Sequence, residues 1–122
     1  MNIKDDTYWN MIHNIGWGKS YMYKQMAKEL EESYSKDRVE KLALFVKAMK
    51  YYIQNEMYAY LIKNNLSFGY YEVSDDGMWD LTAHIVGLGK DMFYKVLADP
   101  SLAKTIEAHE NFEYIFNHAY ES

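Results

Sequence analysis

Apolar residues recur three and four positions apart along most of the chain and alternate almost nowhere, a pattern that predicts amphipathic helices rather than strands. Asp5 or Asp6 can cap a first helix whose buried side would hold Tyr8, Ile12 and Ile15, with Trp9 on its flank, and Gly16-Trp17-Gly18 would stop it. A second helix is expected from about Ser20 to Tyr34, with Met22, Met26 and Leu30 as its stripe and Lys and Glu on the other faces. Ser33 or Ser35 would cap the next. From Lys36 to about Lys63 the stripe Val39, Leu42, Val46, Met49, Ile53, Met57 and Leu61 keeps helical spacing. It forms either one long helix or two joined by a bend near Tyr51 to Asn55, where helix propensity falls.

Asn65 to Val73 breaks the pattern with Gly69 and the aromatics Phe68, Tyr70 and Tyr71, and reads as a loop with room for a short extended piece. Ser74 followed by Asp75 and Asp76 is a helix start: a capping hydroxyl, then two carboxylates beside the positive end of the dipole. That helix would bury Met78, Leu81, Ile85 and Leu88. Gly87 and Gly89 each cost a helix about 1 kcal/mol relative to Ala, so they mark a kink or a close approach of another segment. The stripe resumes at Met92, Val96 and Leu97, and Asp99-Pro100 ends it because the residue before proline disfavours the α conformation. A final helix is expected from about Glu107 to Tyr120, with Phe112, Ile115, Phe116 and Ala119 inward. The predicted fold is all-α: one domain over residues 1–122, a compact bundle of five or six helices. The long helix from Lys36 and the helix from Asp75 form its centre.

Composition narrows the function classes. Of the 122 residues 17% are aromatic, and 13 are tyrosines, which suit the edge of a core or a binding face. The absence of cysteine removes disulfides, a thiol nucleophile and sulfur-ligated zinc. The first residues carry no apolar run of a signal peptide, and no stretch approaches the roughly 20 apolar residues of a membrane span, so a cytoplasmic location is expected. A net charge of −5 with Arg38 as the one arginine argues against binding nucleic acid directly. Charge is also uneven: up to Asn64 there are 10 basic and 8 acidic residues, and from Asn65 on there are 3 and 10. That bias points to a partner with a basic surface.

Candidate chemistry is sparse. Asp80 with His84, and His109 with Glu113, stand four apart and could share a helix face, but two ligands do not make a metal site, and the Glu-x-x-His pattern of bundle metal centres is absent. Glu107, Glu110 and Glu113 form a ladder that could line a cation site or pair with basic groups of a partner, and a solvated helix face explains it as well. Glycine-rich phosphate loops, nucleophile elbows and zinc-protease motifs are missing. No catalytic, cofactor-binding or metal-ligating residue is assigned. The eight methionines mostly lie on the buried stripes, where they fill irregular gaps; an adaptable binding groove is the alternative.

The run from Ser74-Asp75-Asp76-Gly77-Met78-Trp79-Asp80-Leu81 through Ile85-Val86-Gly87-Leu88-Gly89-Lys90-Asp91-Met92-Phe93 to Leu97-Ala98-Asp99-Pro100-Ser101-Leu102-Ala103 resembles the domain of unknown function 4240 (DUF4240) family of bacterial proteins. The openings Tyr8-Trp9-Asn10-Met11-Ile12 and Ala59-Tyr60-Leu61-Ile62 are similar to that family as well. Thr82 stands where the family pattern has Arg, and His84 where it has Trp. The resemblance implies a helical fold and carries no activity with it.

The leading expectation is a non-catalytic interaction module whose acidic C-terminal half docks a basic partner through Tyr70, Tyr71, Asp75, Asp76, Trp79 and Asp80. An inhibitor or immunity-type protein is one concrete form. The alternatives are a small-ligand or enzymatic domain with a pocket around Trp79, His84 and the loop 65–73, and a regulatory homo-oligomer. Oligomeric state is not legible in the sequence.

Overall fold

The apolar stripe from Val39 to Leu61 forms one uninterrupted 28-residue helix, and every residue of that stripe is buried. The helix runs unbroken through Tyr51 to Asn55, where Ile53 is fully buried, and both of its ends are capped. The Ser35 hydroxyl accepts the Arg38 backbone N–H at 3.2 Å, and the Asn64 side chain caps the far end on the Tyr60 carbonyl. The computed structural model describes residues 6–120. Among them the elements are α1 (Asp6–Ile15), α2 (Trp17–Ser20), α3 (Tyr23–Ser33), α4 (Lys36–Lys63), α5 (Asp75–Gly87), α6 (Lys90–Ala98) and α7 (Tyr114–His118), with 3-10 turns at Phe68–Tyr71 and Pro100–Thr105. No strand occurs among the described residues, so the segment before Ser74 holds a 3-10 turn and no extended piece in a sheet.

The principal packing is α5 against α4, with α1, α3 and α6 closing around them over one continuous core. Ser74 caps α5 by accepting the Gly77 N–H at 3.1 Å, with Asp75 and Asp76 exposed in the first turn. Both glycines of this region have a structural cause. A Cβ at Gly87 would lie 2.7 Å from Phe112 and 2.8 Å from Trp17, whereas Gly89 takes φ +110° to turn the chain from α5 into α6.

Four expectations are corrected. Trp9 is core rather than flank: it is 2% exposed and lies with ring centroids 5.1 Å from both Phe45 and Phe93. It shares the inward face with Ile12 three positions on, and half-buried Tyr8 stacks beside it on Phe45 at 5.2 Å. Of the two candidate caps, Asp5 lies outside the described residues, and Asp6 is the first residue of α1, where it pairs with Lys90 at 2.6 Å. The second helix begins at Tyr23, because Tyr21 sits at φ +58° and ends α2 separately; Met22, counted on the stripe, is exposed.

The fourth correction matters most for the site. The expected helix Glu107–Tyr120 is reduced to α7, and residues 106–113 are irregular. Asn111 at φ +88° cannot continue a helix, and this backbone delivers Phe112, 1% exposed, into the space that Gly87 leaves against Trp17. Beyond α7 the Tyr120 backbone N–H donates to the Glu31 carboxylate and its hydroxyl to the Tyr34 carbonyl, fastening the segment to α3.

Candidate functional site

The irregular segment and the first residue of α7 bring Glu110, Glu113 and Tyr114 toward the middle of α4 and the start of α5. There Lys50 is 4% exposed, an unusual position for an ammonium, and it is satisfied on every side. Its Nζ donates to both carboxylate oxygens of Glu113, at 2.8 and 2.9 Å. It also lies 4.3 Å from the centroid of the Trp79 ring and 5.4 Å from that of Tyr51. The two rings meet edge to face at 5.3 Å, and both retain exposed area. The lysine stem is held within the apolar stripe, four residues after Val46 and three before Ile53.

Asp80, next along α5, lines a cavity of about 110 Å³ with Ala83, Asn111, Phe112, Glu113 and Tyr114. Partial burial raises its carboxyl above the ordinary range, and the like charges of Glu110, Asp76 and Glu113 raise it further. Lys50 is engaged by Glu113, and no ion pair among the described residues neutralises Asp80. Asp76, Trp79 and Asp80 therefore share one acidic, aromatic face, to which the C-terminal segment adds Glu110 and Tyr114.

The other expected anchors lie differently. Tyr71 is 3% exposed, and its hydroxyl donates to the Met57 carbonyl at 3.4 Å, so it supports the loop from within and cannot meet a partner. Burial raises its phenol strongly. Tyr70 is half-buried and groups with Tyr60 at 6.0 Å and with Lys104, whose ammonium is 4.5 Å from its ring, rather than with Trp79. Asp75 is exposed in the first turn of α5. The sequence does not single out Lys50, Tyr51 or Tyr114 as site residues, and it places Glu113 in an acidic ladder without its lysine partner. The visible cue was a lysine inside an apolar stripe.

Trp79 and His84 do not line a common pocket. Five residues apart on α5, they point about 140° away from one another around the axis. His84 is 2% exposed and faces α2, its Nδ1 accepting the Trp17 indole N–H at 2.9 Å. Tyr21 stacks on His109 at 3.8 Å, and His109 lies 5.4 Å from His84. Burial, and secondarily His109, lower the His84 imidazole to about 4. The candidate ligand pairs separate for the same reasons: Asp80 lines the C-terminal cavity while His84 holds Trp17, and the segment from His109 to Glu113 is not helical. Among the described residues no group of three or more His, Cys, Asp or Glu could hold a metal ion. No helix among them is long and apolar enough to cross a membrane.

The model of the family described as protein of unknown function (DUF4240) matches residues 3–122. The chain belongs to the DUF4240 family. No curated protein and no solved structure matches it. For this DUF4240 member the motif from Ser74 to Ala103 has a physical reading: a capped start of α5, a close approach at Gly87, a left-handed turn at Gly89, and Asp99 accepting the Ser101 N–H at 3.2 Å to open the last 3-10 turn. At the two departures from the pattern, the buried Thr82 hydroxyl donates to the Met78 carbonyl at 2.9 Å, with Gln54 Oε1 at 3.4 Å, and His84 anchors Trp17.

Proposed function

We propose that this DUF4240 protein is a non-catalytic interaction module that docks a basic protein partner on the face formed by Asp76, Trp79, Asp80, Glu110 and Tyr114, with Asp75 at its edge. The observation that carries the reading is Asp80: a part-buried carboxylate crowded by like charges and lacking an internal cation, beside exposed aromatic surface. A cationic group from a partner would relieve that repulsion, and Trp79, Tyr51 and Tyr114 supply desolvated area around it. Lys50 supports the same chemistry from inside, since the chain already satisfies one cation there with a carboxylate and an indole face. Inhibition of a protein with a basic active surface, as an immunity-type protein performs it, is the concrete form in which such a face would act.

The test is capture of a partner from lysate of the source organism by immobilised protein, with Asp76→Lys/Asp80→Lys as the comparison. Loss of capture in the reversed variant, and weakening of the wild-type interaction as salt rises, are expected. Capture that is indifferent to both would sink the reading. A panel of nucleotides, metals and metabolites is expected to leave the melting temperature unchanged; a rise of several degrees with any of them would favour a small-ligand domain instead.

A further inference from the structure

The acidic face is one end of a longer depression. α7 is short and packs mainly on α3, which leaves a seam between it and α4. Three hollows follow that seam. The first, beside Asp80, shares Glu113 and Tyr114 with the second, a groove of about 690 Å³. The second shares Glu40, Ala43 and Phe116 with the third, which runs on to Lys36 and Tyr120. The second and third form one trough along α4 from Lys36 to Lys50, about 21 Å at the helical rise of 1.5 Å per residue, and the first adjoins its Lys50 end at Glu113 and Tyr114. Ala43, Leu44, Val46, Tyr114 and Phe116 give it apolar walls, and two of these are well exposed: Leu44 at 62% and Tyr114 at 50%. Residues so large and apolar, side by side on one face, are what a partner would cover.

We infer that this trough receives a basic amphipathic helix of the partner, its apolar stripe seated between α4 and α7 and a cationic residue reaching Asp80. The inference rests on the basic-partner reading and adds the shape of what docks. The choice of occupant follows from charge and form. The trough ends in the uncompensated carboxylate of Asp80 with Asp76 and Glu110 nearby, which selects a cation at that end, whereas Lys36 and Lys47 line the remainder and select against one there. Its walls are helices, whose side-chain ridges suit another helix, and a span of about four turns matches anchors spaced i, i+4, i+7 and i+11. No strand edge exists among the described residues on which an extended peptide could pair.

The experiment uses the full chain and a synthetic 14-residue helical peptide, with Leu at those four positions and Arg only at the end that meets Asp80, followed by 15N–1H chemical shifts. Saturable shifts confined to the trough are expected. Replacing Arg by citrulline, which keeps the shape and removes the charge, should weaken binding about tenfold or more. Leu→Ser in the peptide, a central proline in the peptide, or Leu44→Asp in the protein should each abolish it. Leu44 is exposed, so that variant is expected to keep its fold, as circular dichroism would verify. Absence of saturable shifts up to about 1 mM peptide, equal binding of the citrulline or proline peptide, or shifts lying elsewhere would overturn the inference. So would sedimentation showing a dimer that Leu44→Asp dissociates, since the trough would then seat a second copy. If Asp76→Lys/Asp80→Lys abolishes capture from lysate while Leu44→Asp leaves it intact, the basic-partner reading stands and the helix falls. If neither variant alters capture, both fall.

Discussion

Lowering the pH below neutrality should destabilise the protein through His84. Its Nδ1 accepts the Trp17 N–H at 2.9 Å and so carries no proton; charging the ring would set two N–H groups against one another in a site 2% exposed. Burial, with His109 as the lesser cause, brings its pKa from 6.5 to about 4 in the folded chain. Between those values the unfolded chain binds the proton and the folded chain does not, so stability rises with pH across this window. The contribution is complete above about 6.5 and is lost as pH falls toward about 4. The gap corresponds to at most about 3 kcal/mol, a large share of a small domain's stability. Urea denaturation at intervals from about pH 7.5 to 4.5 on the wild type and His84→Asn measures it, because the Asn carbonyl can still accept the indole N–H but does not titrate. Carboxylates affect both proteins alike. The difference between the two should therefore fall by about 1.4 kcal/mol per pH unit near pH 5, and a difference flat with pH would refute the reasoning.

Gly87→Ala should lower stability by about 1–2 kcal/mol, the overpacking against Phe112 and Trp17 outweighing the gain in helix propensity, and the melting temperature should drop by about 4–8 °C; a stabilised variant would contradict the close approach. Glu113→Gln should cost about 1–3 kcal/mol, because it strands the buried Lys50 ammonium. Lys50→Met should cost less, since Met keeps the apolar stem and Glu113 is half-exposed, and the reverse order by chemical denaturation would show that the pair is not what holds the segment. Ser74→Ala should lower the denaturation midpoint by the equivalent of about 1 kcal/mol at unchanged m-value, and Ser74→Gly by only a few tenths; equal losses would argue against a capping role.

Where local rules and tertiary packing agree, the sequence is a sufficient guide. The stripe from Val39 to Leu61, the caps at Ser35 and Ser74 and the stop at Asp99-Pro100 all involve residues within one or two turns of each other, and all are present as expected. Expectations failed where a distant partner decides. Phe112, Ile115 and Ala119 have helical spacing, but the cavity at Gly87 and Trp17 draws Phe112 out of a helix that propensity would allow. Tyr71 reads as a surface anchor because aromatics stand beside acids there, yet its ring completes the core under that loop. The face at Asp76, Trp79 and Asp80 was legible as acids beside an aromatic. Its other half was not, because Lys50 and Glu113 are 63 residues apart and nothing local pairs them.

The fastening of Tyr120 to Glu31 and Tyr34, with Phe112 plugged against Trp17, closes the core with residues that follow α6 in the chain. During synthesis the ribosome would release α1 to α6 while Trp17 and the seam beside α3 still lack their cover. A chain stalled before Phe112 would expose the aromatic surface around Trp17 that proteases and chaperones recognise.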